Sequence, residues 1–279
     1  MFKPTARYRS ILLAPAFVSL TLGLAACNRE AEAPVEPAAP APTPAPITVE
    51  AAPIVLDRAG FLAAVDAAVA AYASGAASTG QDTLVGRRFT IRQAFGCGGP
   101  LPSTATVSDG LAGWTASEDG QTQRLTLTPA DWTQTALVAG EEPIWEAVEG
   151  MWLTRPWLRA EACPQVNPDQ APTGPAAVSS PQTVGLAAVF EPEGSRLDRR
   201  NGRAYSFTIR GEDDQPPPPH TGGYRLVLEG RFTAFPDGRA IRCRAASVDQ
   251  RPVCIAAVQM DRVAFEDTDG SVLSDWRTG

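Results

Sequence analysis

The segment between residues 132 and 157 concentrates aromatic and acidic side chains. Four of the six tryptophans of the chain lie in it, interleaved with four glutamates. The eight residues are Trp132, Glu141, Glu142, Trp145, Glu146, Glu149, Trp152 and Trp157. Aromatic faces with carboxylates suit sugars, and a carboxylate pair can hydrolyse a glycosidic bond. We favour a tryptophan-rich core with solvated acids, because no spacing here fixes two carboxylates across a cleft. The candidate ligand-binding residues are Trp145, Trp152, Trp157, Glu146 and Glu149.

An arginine cluster surrounds Asn201-Gly202, a dipeptide that marks a turn. Its members are Arg196, Arg199, Arg200, Arg203 and Arg210. Guanidinium groups can bind a carboxylate or phosphate through two hydrogen bonds at once. A solvated hairpin tip is the interpretation we favour for such a cluster.

Other motifs give little support to catalysis or metal binding. His220 is the only histidine, and no Gly-x-Ser-x-Gly motif accompanies it, so no catalytic residue is predicted. The sequence Asp267-Thr268-Asp269-Gly270 lacks the twelve-residue ligand pattern of a calcium loop and predicts a hairpin turn. We therefore predict neither a metal site nor a cofactor.

The N-terminal residues have the layout of a secretory signal. Three basic residues, Lys3, Arg7 and Arg9, precede an apolar run from residue 11 to residue 24. The run ends in Leu24-Ala25-Ala26-Cys27. This ending resembles the lipobox of bacterial lipoproteins. The resemblance covers residues 1–27 and implies cleavage before Cys27, which would carry the lipid; an ordinary signal peptide with a chance cysteine is the alternative.

With Cys27 assigned to lipid, four cysteines remain, and an even number in an exported chain indicates two disulfides. Four cysteines allow three connectivities. We prefer Cys243–Cys254, because facing hairpin strands bring cysteines within bridging distance. Cys97 and Cys163 both adjoin chain-turning residues and form the second pair. Their spacing does not indicate zinc.

The charge balance limits the classes of partner. Of 24 basic and 31 acidic side chains, signal cleavage removes three basic ones, so the formal charge changes from −7 to −10. Nucleic acid is excluded as a partner, because phosphate binding needs a basic surface. The only lysine is Lys3, so the mature chain has no lysine for Schiff-base or phosphate-loop chemistry. The membrane contact that we expect is the covalent lipid.

The chain divides into three parts by composition. Residues 1–26 are the signal peptide, and residues 27–53 are the lipidated cysteine with a Pro/Ala-rich tether that favours extended polyproline II. Residues 54–279 are a β-rich periplasmic domain, with a sub-boundary near residues 165–182 where Pro, Gly, Ala and Ser accumulate. The two halves, 83–165 and 183–279, form one sandwich or two small β modules, and both interpretations stay open.

The domain is predicted to be mainly β, as an antiparallel sandwich or small barrel with disulfides and one N-terminal amphipathic helix. Asp57 is the predicted N-cap and Gly75 the end of that helix. Its apolar face comprises Phe61, Leu62, Val65, Val69 and Tyr72. Alternating segments around Glu118-Asp119-Gly120 predict a hairpin, and residues 184–190 predict an apolar strand.

These features predict a membrane-anchored envelope lipoprotein that binds a protein or glycan partner without catalysis. The alternative is a carboxylate-dependent glycan hydrolase, or a glycan-binding protein, that uses segment 132–157. In the lipoproteins that the signal resembles, aspartate after the lipidated cysteine commonly retains the protein at the inner membrane. This chain has Asn28 there. The resemblance therefore implies the outer membrane, with the domain in the periplasm and the inner membrane or cell surface as alternatives.

Overall fold

The computed structural model describes residues 54–76, 82–138, 145–165, 181–192, 199–211, 215–217 and 222–277. Several of the predictions above concern residues outside these ranges: the signal peptide, Cys27 and Asn28 with the tether, Glu141, Glu142, Arg196, His220 and residues 166–180 of the predicted sub-boundary. The described part is mainly β, with one α-helix, α1 (Arg58–Ser74). The strands are β1 (Arg88–Phe95), β2 (Ala112–Ala116), β3 (Thr122–Leu127), β4 (Ala130–Asp131), β5 (Ala147–Trp152), β6 (Val184–Phe190), β7 (Tyr205–Arg210), β8 (Tyr224–Phe232), β9 (Ile241–Arg244), β10 (Val253–Glu266) and β11 (Val272–Arg277).

Helix α1 begins and ends at the residues that the sequence predicts. The Asp57 carboxylate accepts the N–H of Gly60 at 2.7 Å, which satisfies one of the free donors of the first turn. Gly75 closes the helix with φ at 64°, a conformation that glycine adopts without steric cost. Tyr72 is 45% exposed and does not complete the predicted apolar face; its hydroxyl accepts the N–H of Ala245 instead.

Strand β10 is a central strand of an eight-stranded sheet ordered β1-β8-β10-β6-β5-β4, and β9 and β11 also pair with it. Strands β9 and β8 pair with one edge of β10, and β6 and β11 pair with the other edge. The register with β8 shifts between Met260 and Arg262, an irregularity of the kind that bends a strand. Strand β8 is the neighbour on both sides of this point, whereas on the other edge β6 pairs with β10 before it and β11 pairs with β10 after it.

The pairing of β6 with β10 is parallel, with Cys254 opposite Val184. The prediction of an antiparallel architecture is wrong for this pair. Antiparallel neighbours are usually joined by short turns, whereas strands β7, β8 and β9 separate β6 from β10 along the chain. The pairing is therefore non-local, and the turn signals in the sequence do not encode it.

A second sheet has three antiparallel strands in the order β2-β3-β7. Strands β2 and β3 form the predicted hairpin through Glu118-Asp119-Gly120, and β7 joins from the other side of the predicted sub-boundary. Pairs β1–β8 and β5–β6 cross the same boundary in the large sheet. Both sheets thus contain strands from the two cysteine-defined halves, and residues 51–279 form one compact unit.

The main core lies between the large sheet, helix α1 and the three-stranded sheet. We call the face of the large sheet that it covers the inner face. Phe61 of α1 stacks on Phe232 at 5.6 Å, and Trp114 of β2 meets Tyr224 of β8 edge-on at 5.6 Å. Aromatic pairs of this kind stabilise a core beyond the area that they bury. Helix and small sheet are thereby both fixed to strand β8 and its neighbours.

Both disulfides form in the pairing preferred from the sequence. Cys97–Cys163 joins the end of β1 to the segment after β5, across 66 residues. Cys243–Cys254 joins β9 to β10, where the two residues are direct cross-strand partners. The Cys254 side chain is fully buried. One disulfide therefore lies in the sheet, and the other fastens the segment that follows β5.

Candidate functional site

Three of the tryptophans between residues 132 and 157 pack on the face of the large sheet opposite the core, which we call the outer face. Trp132 meets Trp152 at 4.5 Å between ring centroids, and Trp145 meets Phe235 at 5.5 Å. Trp132 and Trp145 are buried, and Trp152 is partly buried against the same cluster. Gly150 allows this packing, because a Cβ there would lie 2.0 Å from the Trp132 ring.

The remaining candidates occupy separate surroundings. Trp157 is 62% exposed, outside the outer-face cluster. Glu146 forms an ion pair with Arg199 at 3.4 Å. Glu149 is buried and lines a cleft on the inner face. The structure therefore does not assemble the five candidates into one groove, and ligand binding at them stays a prediction.

The cleft at Glu149 has a volume of about 320 Å³ and lies where strands β5, β6, β10 and β11 meet the turn before β7. Its polar lining consists of Glu149, Arg200, Tyr205, Arg262, Asp275 and Arg277. Its apolar lining consists of Met151, Ala188, Phe190, Met260, Val263 and Trp276. A concave apolar surface with a few convergent polar groups is the usual form of a small-molecule site. We refer to it as the inner-face cleft.

Glu149 fastens the turn at residues 199–203 to strand β5. Its carboxylate accepts the backbone N–H of Asn201 at 2.7 Å. Burial raises the pKa of Glu149, and the N–H groups of Asn201 and Arg200 with the nearby arginine charges offset part of that rise. Part of the arginine cluster thus surrounds a carboxylate of the chain itself.

Elsewhere in the lining, Arg262 forms ion pairs with two acids. Its Nη1 donates to Glu229 at 2.8 Å and its Nε to Asp275 at 3.0 Å. Asp275 also accepts from Arg277 at 3.2 Å. Desolvation alone would raise the pKa of Asp275, but hydrogen bonds and charges from both arginines lower it. Asp275 is therefore held as a carboxylate.

Two aromatic rings also line the cleft. Tyr205 and Trp276 meet edge-on at 5.3 Å, and the Arg200 guanidinium lies 4.5 Å from the centre of the Tyr205 ring. Nε and Nη2 of Arg200 donate to the carbonyls of Arg203 and Ala204. A guanidinium held over an aromatic face is attracted by the ring. The turn thus orients Arg200 at the cleft.

Sequence reasoning missed Arg262, Asp275 and Trp276 as site residues. The available signal was the hairpin turn at 267–270, which makes residues before and after it cross-strand neighbours. Val263 pairs with Trp276, and Arg262 pairs with Arg277. Pairing residues outwards from the turn predicts these cross-strand partners to within one position, because the bulge between Phe265 and Glu266 shifts the register. No pattern in the neighbouring sequence predicts that this hairpin lies beside Glu149.

Two further findings concern the described residues. No group of three or more His, Cys, Asp or Glu side chains lies together there in a way that could hold a metal ion. Helix α1 is too short and too weakly apolar to cross a bilayer, and those residues contain no helix that could.

Comparison of the chain with protein-family models, with curated proteins and with solved structures finds no match.

Proposed function

We propose that this protein is a lipid-anchored envelope lipoprotein whose disulfide-linked domain is a non-enzymatic binding module. The inner-face cleft is the observation that carries the binding role, because its polar groups converge on a preformed apolar surface. The signal-like residues 1–27 carry the anchor, and disulfides suit an oxidising envelope compartment. The partner in the envelope is a protein or a glycan.

The location follows from the same signal. Lipid on Cys27 anchors the protein. Asn28 stands where an aspartate would retain it at the inner membrane, so the protein is transported to the outer membrane, with the domain on the periplasmic side. We also propose that the two sheets, which share buried residues of one core, form a sandwich. Residues 27–53 then connect this sandwich to the membrane as a tether.

Replacing Cys27 tests the anchor. Cys27→Ser should release the protein from membranes and change the mass of the mature chain, because lipidation requires the thiol. A variant that fractionates with membranes at the parent mass would refute lipidation. Density-gradient recovery of the parent with inner-membrane markers would contradict the outer-membrane proposal.

Glycan hydrolysis is the second candidate, because two carboxylates with opposite pKa shifts line the inner-face cleft. The pKa of Glu149 is raised and that of Asp275 is lowered, a difference that also separates acid from base in carboxylate enzymes. Binding is favoured because Asp275 is bonded to two arginines and Glu149 to a backbone N–H. The test is whether the protein releases reducing sugar from envelope glycan. Activity that is lost in both Glu149→Gln and Asp275→Asn would establish the hydrolase instead.

A further inference from the structure

We propose that the inner-face cleft binds a small amphipathic anion, with an acidic group on an apolar body of medium chain length. The proposal rests on the binding role proposed above and adds a ligand class to it. It does not depend on the lipid anchor.

The charge of the cleft favours an anion. Three guanidinium groups, Arg200, Arg262 and Arg277, line the cleft together with two carboxylates, Glu149 and Asp275. Glu229 pairs with Arg262 at 2.8 Å from outside the lining, so the formal charges around the cleft balance. Burial shifts Glu149 towards its neutral form, which leaves the cleft with a positive excess although the whole chain is acidic.

Arg200 is the side chain best placed to receive the acidic group. Its Nε and Nη2 donate to the carbonyls of Arg203 and Ala204, which orient the guanidinium without neutralising its charge. Arg262 differs, because it is committed to two acids. A planar guanidinium fixed in this way matches the oxygens of a carboxylate, sulfonate or phosphate.

The apolar lining fits the body of such a ligand. Met151 and Met260 bring flexible thioethers that adapt to irregular shapes, and Phe190, Val263 and Trp276 complete the surface. A volume of about 320 Å³ lies at the lower end of the range for small-molecule sites. The cleft therefore has room for a small amphipathic ligand, or for such a group carried on a larger envelope partner.

Three amphiphiles with the same chain test the charge preference: decanoate, decanol and decyltrimethylammonium. They are titrated calorimetrically into the full mature chain carrying Cys27→Ser, which has no lipid. Decanoate should bind, decanol should bind more weakly, and the cation should bind least. Equal affinities, a preference for the cation, or no binding of decanoate to the folded chain would overturn the proposal.

Variants locate the site. Arg200→Gln and, separately, Arg277→Gln should weaken decanoate binding, the first by about tenfold, with decanol binding unchanged. Arg210→Gln is the matched control, since Arg210 lies on the same strand as Tyr205 but does not line the cleft. If both cleft variants bind decanoate like the control, the site is elsewhere and the proposal fails.

Vesicles identify the source of the ligand. If the parent binds phosphatidylglycerol vesicles and both cleft variants lose this binding, the ligand is a lipid anion. If the parent binds decanoate but not the vesicles, the ligand is a free amphiphile. If no amphiphile binds while partners still cross-link to the protein in cells, the ligand class is wrong and the binding function stands. If both are absent, the binding function fails too.

Discussion

The Glu149 carboxylate accepts the backbone N–H of Asn201 at 2.7 Å, across 52 residues of sequence. Asn201 has φ at 52°, in the left-handed region that asparagine tolerates better than most residues. This bond joins the acidic segment to the arginine-rich turn, two features that the sequence shows separately. It also places Arg200 and Tyr205 beside the strands that form the cleft.

The raised pKa of Glu149 gives a pH-dependent contribution to stability. At pH values above 4.5, the ordinary pKa of a glutamate, the folded chain retains the Glu149 proton that the unfolded chain has lost. The resulting contribution to stability is fully present below pH 4.5 and is lost as the pH rises through the pKa of Glu149 in the folded chain. Glu149→Gln removes this loss but keeps an acceptor for Asn201. Its stability relative to the parent should therefore increase from about pH 4 to about pH 7 in urea unfolding; a constant or falling difference would contradict the raised pKa.

Arg262 should be a larger contributor to stability than an exposed arginine on the same sheet. It is 8% exposed and bonded to two acids, so Arg262→Gln should lower the free energy of unfolding by about 2 kcal/mol. Arg88→Gln is the control, because that side chain is 67% exposed and pairs with Asp261 at 3.4 Å. The control should change stability by less than about 0.5 kcal/mol. Equal losses in chemical denaturation would argue against the bridge.

The outer-face tryptophans predict a strict requirement for glycine at position 150. A Cβ at Gly150 would lie 2.0 Å from the Trp132 ring, so Gly150→Ala must displace it and should destabilise the fold by about 1–3 kcal/mol. Near-ultraviolet circular dichroism should report the movement of the ring. Gly98→Ala is the matched control, with open space at its Cβ. If the two variants unfold alike, the packing of Trp132 is not as described.

Access to sulfur predicts the order in which the disulfides are reduced. Thiolate attack requires contact with a sulfur atom. Cys97 and Cys163 are both partly exposed, whereas in the other disulfide Cys243 is partly exposed and Cys254 is fully buried, so that disulfide offers one accessible cysteine in place of two. A limited dose of dithiothreitol should therefore reduce Cys97–Cys163 first. Mass spectrometry of alkylated peptides measures the order, and early alkylation at Cys243 and Cys254 would reverse the expectation.

Local features of the fold were predictable, and the cleft was not. Asp57 and Gly75 set the helix ends through contacts within a few residues, and Glu118-Asp119-Gly120 sets a hairpin in the same way. The parallel pairing of β6 with β10 brings together distant segments and leaves no such local mark. Glu149 was a candidate for its residue type, but its neighbours come from β7, β10 and β11. Topology, not spacing, assembles the site.

Binding of an envelope partner through the inner-face cleft is the activity that we expect of this domain. The direct measurement is photo-crosslinking in intact cells, with a photoreactive phenylalanine derivative placed at Phe190 or, as a control, at Val248. Phe190 is partly exposed and lines the cleft, whereas Val248 is exposed and does not line it. We expect a cross-linked product at position 190 that is absent at position 248 and sensitive to Arg200→Gln. Equal cross-linking at the two positions, or a product at position 248 alone, would contradict a binding role for the cleft.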